Sequence, residues 1–230
     1  MITALIFDVD GTLAETEEAH RAAFNATFDA WGLGWHWTRD HYAELLKTTG
    51  GKERVRRFQT DLAANARRLS GDEIAAFHAE KTKAYADILG RGELTLRAGV
   101  KDLVATARNE GLTLAIATTT NTPNVDALCQ CCWGTPATEV FDVIAAGDMV
   151  QAKKPAPDVF LLALEKENIK PDQAIAFEDS RNGLLSAKGA HLRTVVTPSA
   201  YTQADDFSEA DQVVPTLEGW HWSRMAEIVG

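Results

Sequence analysis

Cysteine is scarce. The chain has three in 230 residues, clustered as Cys129, Cys131 and Cys132. An odd, clustered set with no histidine nearby is a poor disulfide framework and a poor metal cluster, and it favours a reducing cytoplasm. Positive charge is scarce too. Lys and Arg number 23 against 33 Asp and Glu, a net charge of −10. Such a surface repels nucleic acid and anionic membrane, so neither is an expected partner. No apolar run approaches the length of a membrane span. The N-terminal apolar run lacks a basic lead-in and is cut short by Asp8, so it does not read as a secretory leader. A cytoplasmic monomer is the expectation. Any anionic substrate then needs local positive charge or a metal at its site.

Hydrophobic residues make up 45% of the chain, enough for a substantial core, and the length suits one large domain or a core plus an insert. Residues 2–7 form a nearly continuous apolar run that ends in Asp8-Val9-Asp10-Gly11. Runs of this kind are strands of parallel sheets, buried on both faces. Similar runs occupy 112–117, 174–177 and 192–196, with a weaker one at 143–146. Gly111 and Gly189 precede two of them, where helix C-terminal caps are expected. Pro157 suits the first turn of a helix over 157–167, and Ser180 suits an N-cap. Strand and helix alternating in this way predict an α/β fold with a parallel sheet covered on both faces.

No strand signal appears between Glu15 and Arg91. Phe24, Phe28 and Trp31 recur at helical spacing, as do Val55, Phe58 and Leu62, then Ile74, Phe77, Tyr85 and Ile88. The expected organisation is an α/β core of residues 1–14 and 92–230 interrupted by an all-helical insert, 15–91. Trp-His-Trp occurs at 35–37 and again at 220–222. Two copies of three residues read as coincidence, and Trp31, Trp35 and Trp37 read as packing within the insert.

Chemistry-bearing residues gather where the predicted strands end. Asp8 and Asp10 are two apart after the first strand, at the carboxyl edge where open α/β sheets hold ligands. Two carboxylates so close require a shared proton or a cation between them. Thr118-Thr119-Thr120 follows the second predicted strand, with hydroxyls and backbone N–H groups suited to phosphate oxygens. Lys154 precedes Pro155, in a turn that extends the backbone. Glu178-Asp179 ends another strand and offers hard oxygen ligands of the kind Mg²⁺ takes. An Asp-Gly turn, β-branched strand ends, a solvated lysine pair and helix N-terminal acids each have bland explanations. Together the residues supply what phosphoryl transfer requires: Asp8 as nucleophile, Asp10 as acid and base, Lys154 and Mg²⁺ against the phosphoryl charge.

Through these motifs the chain resembles the haloacid dehalogenase superfamily over nearly its whole length. Asp8-x-Asp10-Gly11-Thr12 matches the first motif of that family, Thr118 the second, Lys154 the third and Glu178-Asp179 the fourth. The resemblance implies a Rossmann-like core with a helical cap, as in the phosphoglycolate phosphatase and β-phosphoglucomutase group. It further implies metal binding by Asp8, the Asp10 backbone carbonyl and Asp179, with Glu178 acting through water. Segments 12–18, 48–54, 118–125 and 141–148 are similar to the CbbY group. That group is associated with Calvin-cycle operons, and members remove a phosphate from xylulose 1,5-bisphosphate. The implied substrate is therefore a small phosphorylated sugar. On the insert, Glu17 and His20 stand at family substrate positions. Lys52 and Arg54, in the most basic stretch of an acidic chain, are candidates to grip a second phosphate, with Arg56 and Arg57 less favoured. A β-phosphoglucomutase shares every motif and remains the alternative. A non-catalytic phosphoacceptor module would lack both Asp10 and the insert.

Overall fold

Ala4–Phe7 forms β1 at the centre of the sheet because all four side chains are apolar and buried. The coordinates are those of a computed structural model that describes residues 1–92 and 94–226. Residues 227–230, the end of the expected core segment, lie outside the described residues. Around β1 stand β2 (Thr113–Ala117), β3 (Val143–Ala145), β4 (Ala174–Glu178), β5 (Arg193–Val196) and β6 (Gln212–Val213). Their order is β3-β2-β1-β4-β5-β6, and every neighbouring pair is parallel. The five expected strands are all present. β6 was not anticipated, since two residues carry no readable pattern.

Four helices lie between β1 and the rest of the sheet: α1 (Glu17–Ala30), α2 (Arg39–Leu46), α3 (Gly51–Thr60) and α4 (Gly71–Leu89). They share a cluster of buried side chains separate from the two on the sheet faces. Phe24, Phe28, Trp35, Trp37, Phe58 and Phe77 form its aromatic centre. The ring of Phe28 stands 4.9 Å from Trp37 and 5.2 Å from Phe77. α4 begins with a reciprocal cap, Ser70 accepting from the Glu73 backbone and Glu73 from that of Ser70.

The remaining helices are α5 (Val100–Asn109), α6 (Thr122–Trp133), α7 (Ala137–Val140), α8 (Asp158–Lys166) and α9 (Arg181–Gly189). Strand side chains alternate between faces. Leu5, Phe7, Leu114, Ile116, Ile175 and Phe177 face a cluster containing residues of α5 and α6, with Trp220 and Trp222. Ala4, Ile6, Ala115, Ala117, Ala174 and Ala176 face α8 and α9. Small residues on that second face let helices pack close. The two Trp-His-Trp copies sit in unrelated clusters, one in the insert and one under the sheet, so they are no structural repeat. Gly111 takes the expected left-handed turn after α5, with φ 76°. Gly189 does not: it is the last residue of α9, and the left-handed turn falls at His191, φ 61°.

The two strands of chain that join insert to core run side by side. Ala14 bridges Leu96, and the Arg97 N–H donates to the Leu13 carbonyl at 2.8 Å. No described helix is long and apolar enough to cross a membrane. Since Phe28 is fully buried among five aromatic rings, Phe28→Ala should cost about 3–5 kcal/mol of stability. Urea unfolding checks this, and a loss below about 1 kcal/mol would contradict it.

Candidate active site

The carboxyl ends of β1, β2 and β4 converge on one ammonium. Lys154 Nζ donates to Asp8 Oδ1 at 2.6 Å, to the Ala117 carbonyl at 2.8 Å and to Glu178 Oε1 at 2.6 Å. Lys154, Asp8, Glu178 and Asp179 are all buried. Burial pushes the Asp8 carboxyl above its usual value, with Lys154 opposing and Asp10 adding to the rise. Burial likewise lifts Glu178 to about 8 against the pull of Lys154. It lifts Asp179 well above the carboxylate range, reinforced by Asp8 and Glu178. The same two acids outweigh desolvation at Lys154 and raise its pKa, so it stays charged. The Thr118 hydroxyl favours the charged form of Asp8 and accepts the Thr120 N–H at 3.2 Å. Thr119 lines the cavity beside them.

Asp10 is held from the other side. The Thr16 hydroxyl donates to its Oδ1 at 2.6 Å, and His20 Nε2 lies 3.0 Å from the same atom. Lys81 Nζ stands 2.6 Å from His20 Nδ1. With Lys81 as the donor of that contact, Nδ1 accepts and Nε2 carries the proton toward Asp10. Burial alone would raise the Asp10 carboxyl; His20 and Thr16 outweigh it and hold it at about 2. Burial lowers Lys81 to about 7. The ring of Tyr85 stacks on His20 at 4.0 Å and fixes its plane.

A cavity of about 1050 Å³ opens above these groups and reaches the insert. Asp8, Asp10, Lys154 and Asp179 line it from the core; Glu17, His20, Lys52 and Arg54 line it from the insert. Arg54 is buried, and its Nη1 donates to the Tyr42 hydroxyl at 2.9 Å, which donates to Glu17 Oε2 at 2.7 Å. Arg54 Nε is buried without a partner. Arg56 and Arg57 are exposed and pair with Glu53 and Asp61, away from the cavity lining. Gly51 makes room for the His78 ring: a Cβ there would meet His78 Nε2 at 2.5 Å. Burial holds His78 down at about 3, so it stays neutral beside Lys81 and Lys52. Insert and core touch around the cavity. The Thr49 hydroxyl donates to the Lys154 carbonyl, Asn182 Nδ2 donates to the Lys47 carbonyl at 3.2 Å, and Asn121 Nδ2 to Thr82 at 3.1 Å.

The core end of the cavity fits a hard divalent cation. Asp8, Glu178 and Asp179 each offer an oxygen, all within 4.8 Å of one another, against the single ammonium of Lys154. Oxygen donors with excess negative charge are what Mg²⁺ takes. Two glycines leave the room: a Cβ on Gly11 would overlap the Asp179 carboxylate, and one on Gly183 that of Glu178. The cysteines take no part. Cys129 is buried, Cys131 and Cys132 face the Leu94 carbonyl at 3.7 and 3.8 Å, and burial lifts Cys129 and Cys132 to about 12.

A parallel sheet whose strand ends gather an aspartate pair, a threonine, a lysine and a second acidic pair defines a class. A family model described as haloacid dehalogenase-like hydrolase matches residues 2–191. The chain belongs to the haloacid dehalogenase-like hydrolases. It is 53% identical over 221 residues to protein CbbY of Cereibacter sphaeroides, covering 94% of this chain and 93% of that one. Two crystal structures of CbbY from Rhodobacter sphaeroides match it with TM-score 0.91 at 52% identity, covering 94% of this chain and 95% of theirs. One holds phosphate; the other is a mutant in complex with xylulose-(1,5)bisphosphate. The phosphorylated carbohydrates phosphatase of Thermotoga maritima is 29% identical over 196 residues, covering 84% and 83%. Family and relatives together make the chain a phosphatase.

Thr16, Tyr42, His78 and Lys81 escaped the sequence reading. Lys81 had a signal: it falls on the apolar stripe of α4 between Phe77 and Tyr85, where a lysine is out of place. Thr16 and Tyr42 had none, since their partners are set only by folding. The raised carboxyls yield a prediction. Glu178 keeps its proton to a higher pH folded than unfolded, so without metal its contribution to stability is full below pH 4.5 and is lost as pH rises through about 8. Mg²⁺ competes with that proton. Its effect on the unfolding temperature should be small near about pH 5 and grow toward about pH 8. Calorimetry in EDTA and in Mg²⁺ checks this; a shift independent of pH would contradict it.

Proposed function

We propose that this chain hydrolyses a small sugar bisphosphate, xylulose 1,5-bisphosphate, through an aspartyl phosphate on Asp8. The observation that carries the reading is a cavity with two unlike ends. At one end Asp8, Asp10 and Lys154 line it; at the other, Lys52 and Arg54 line the same space. Two cations of an otherwise acidic chain at that end would pair with a second phosphate. The 52% identity to a CbbY that binds xylulose-(1,5)bisphosphate as a mutant supports the same substrate.

In this reading Asp8 attacks phosphorus, with Lys154 holding its carboxylate and offsetting the phosphoryl charge. Thr118 and Thr119 receive phosphoryl oxygens. Asp10 is deprotonated before substrate arrives, so it must take up a proton as the anionic substrate binds beside it; it gives that proton to the leaving oxygen and then takes one from the attacking water. Thr16 and His20 stabilise the carboxylate that remains after the first transfer. Mg²⁺, held by Asp8, Asp179 and the Asp10 carbonyl, would neutralise charge on the phosphoryl group. Residues 15–91 act as a cap on the core 1–14 and 92–230, shutting bulk water from the cavity. Glu17, held by the Tyr42 hydroxyl, presents its carboxylate toward the sugar hydroxyls.

Phosphate release from xylulose 1,5-bisphosphate, ribulose 1,5-bisphosphate and β-glucose 1-phosphate tests the substrate. Release from the xylulose compound alone is expected. Conversion of β-glucose 1-phosphate to glucose 6-phosphate, with little release, would make the chain a mutase instead. Two variants test the roles. Asp10→Asn should lower kcat by about 10²–10⁴-fold in a folded protein, and full activity would sink the acid/base assignment. Arg54→Lys should raise KM for the bisphosphate about tenfold with kcat little changed. An equal rise for p-nitrophenyl phosphate, which has no second phosphate, would contradict the phosphate-gripping role.

A further inference from the structure

We propose that Arg97 is a positioning residue for the phosphatase reaction, clamping the loop that carries Asp10 to the loop that backs Asp179. The proposal rests on the reading that Asp10 and Asp179 serve the phosphoryl site. Arg97 lies in the chain returning from insert to core, one residue after the bridge to Ala14. Its guanidinium is 13% exposed. Nη1 donates to the Gly11 carbonyl, to the Thr197 carbonyl at 2.7 Å and to the Thr197 hydroxyl at 3.3 Å; Nη2 donates to the Pro198 carbonyl at 2.8 Å. Glu15, in the chain leaving the core, faces Nε at 3.5 Å and accepts the Ala200 N–H at 3.3 and 3.2 Å. One cation thus joins both connections of the insert to two loops at the catalytic edge.

What those loops carry makes the clamp more than packing. Gly11 is the residue after Asp10. Ser199, next to Pro198, reaches Asp179 through Thr202: its N–H donates to the Thr202 hydroxyl at 2.9 Å, and that hydroxyl donates to the Asp179 carbonyl at 2.6 Å. The loops also touch: a Cβ on Gly11 would stand 3.1 Å from Ser199 Cβ. Three carbonyls point their negative ends at one spot, where they repel unless a cation with several donors fills it. The planar guanidinium reaches all three; a lysine, a point charge on a flexible stem, does not hold the same geometry. Arg97 is absent from the lining of the large cavity, so it acts through the loops. It lines instead a separate cavity of about 120 Å³ with Thr12, Thr197 and Thr216. Misplacing a reacting group by about 1 Å costs on the order of a hundredfold in rate.

The test uses Arg97→Ala and Arg97→Lys in the full chain, with p-nitrophenyl phosphate, so the outcome does not depend on the physiological sugar. At a temperature where circular dichroism shows Arg97→Ala fully folded, kcat should fall about a hundredfold with KM within about twofold. The small cavity beside the lost side chain admits free guanidinium. Millimolar guanidinium should restore kcat about tenfold, where urea does not, and Arg97→Lys should fall between parent and Ala. A kcat within about twofold of the parent, or a loss that guanidinium does not reverse, would overturn the proposal. If Arg97→Ala does not fold, Arg97→Lys decides: an unchanged kcat overturns it. Hydrogen exchange gives a reading without substrate. Amides 11–14 and 197–200 should exchange faster in the variants, and unchanged exchange would remove the clamp. If the parent hydrolyses no phosphate ester, the assignment of Asp8 and Asp10 fails, while exchange still decides the clamp.

Discussion

The Lys154 ammonium is the constraint on which the site depends. It ties the ends of three adjacent strands, through Asp8 after β1, the Ala117 carbonyl of β2 and Glu178 of β4. Asp8, Glu178 and Asp179 are buried within reach of one another. Burial first, and then the repulsion of like charges so placed, makes them hold protons, as the raised carboxyls of all three record. One buried cation cannot balance three carboxylates. The imbalance leaves Asp8 paired and aimed while keeping an opening for a divalent cation and an incoming phosphoryl group. Removing one partner from such a buried network typically costs about 3–5 kcal/mol, because the others are left uncompensated.

The helical insert supplies what the sheet lacks. The sheet end is acidic, and its one buried cation among the described residues, Lys154, is engaged. The insert brings His20 and Lys81 to Asp10, and Lys52 and Arg54 to the far side of the cavity. Asp10 therefore answers to the insert: its low proton affinity depends on donors from Thr16 and His20, which stand at the start of that segment. In the proposed reaction, proton transfer and substrate enclosure draw on the same few residues. The aromatic cluster around Phe28 and Trp37 gives the insert the rigidity to place those donors.

Much of this was legible in the sequence, for physical reasons. A strand buried on both faces must be continuously apolar, so 2–7 and 174–177 announced themselves. Lys154 stood out by its place before Pro155 in a rigid turn, and Asp8, Asp10 and Asp179 as polar groups at the ends of such runs. Thr118 and Thr119 were readable in the same way. His20 was readable only through family resemblance; its contact with Asp10 depends on how α1 leaves the sheet. Arg97 and Tyr42 were hidden, because an arginine between loops and a tyrosine in a helix give no local sign of distant partners. The turn placed at Gly189 fell at His191, since the helix ran to Gly189 before the chain turned.

The account stands on Asp8 as the group that takes the phosphoryl unit. Acid quenching during turnover of ³²P-labelled substrate, followed by trypsin, tests it directly. The first Lys or Arg of the chain is Arg21, so peptide 1–21 carries both Asp8 and Asp10. The account predicts label on that peptide, labile to hydroxylamine, mapping to Asp8 and absent from Asp8→Asn. Turnover with no covalent label, or label on any other peptide, would contradict it.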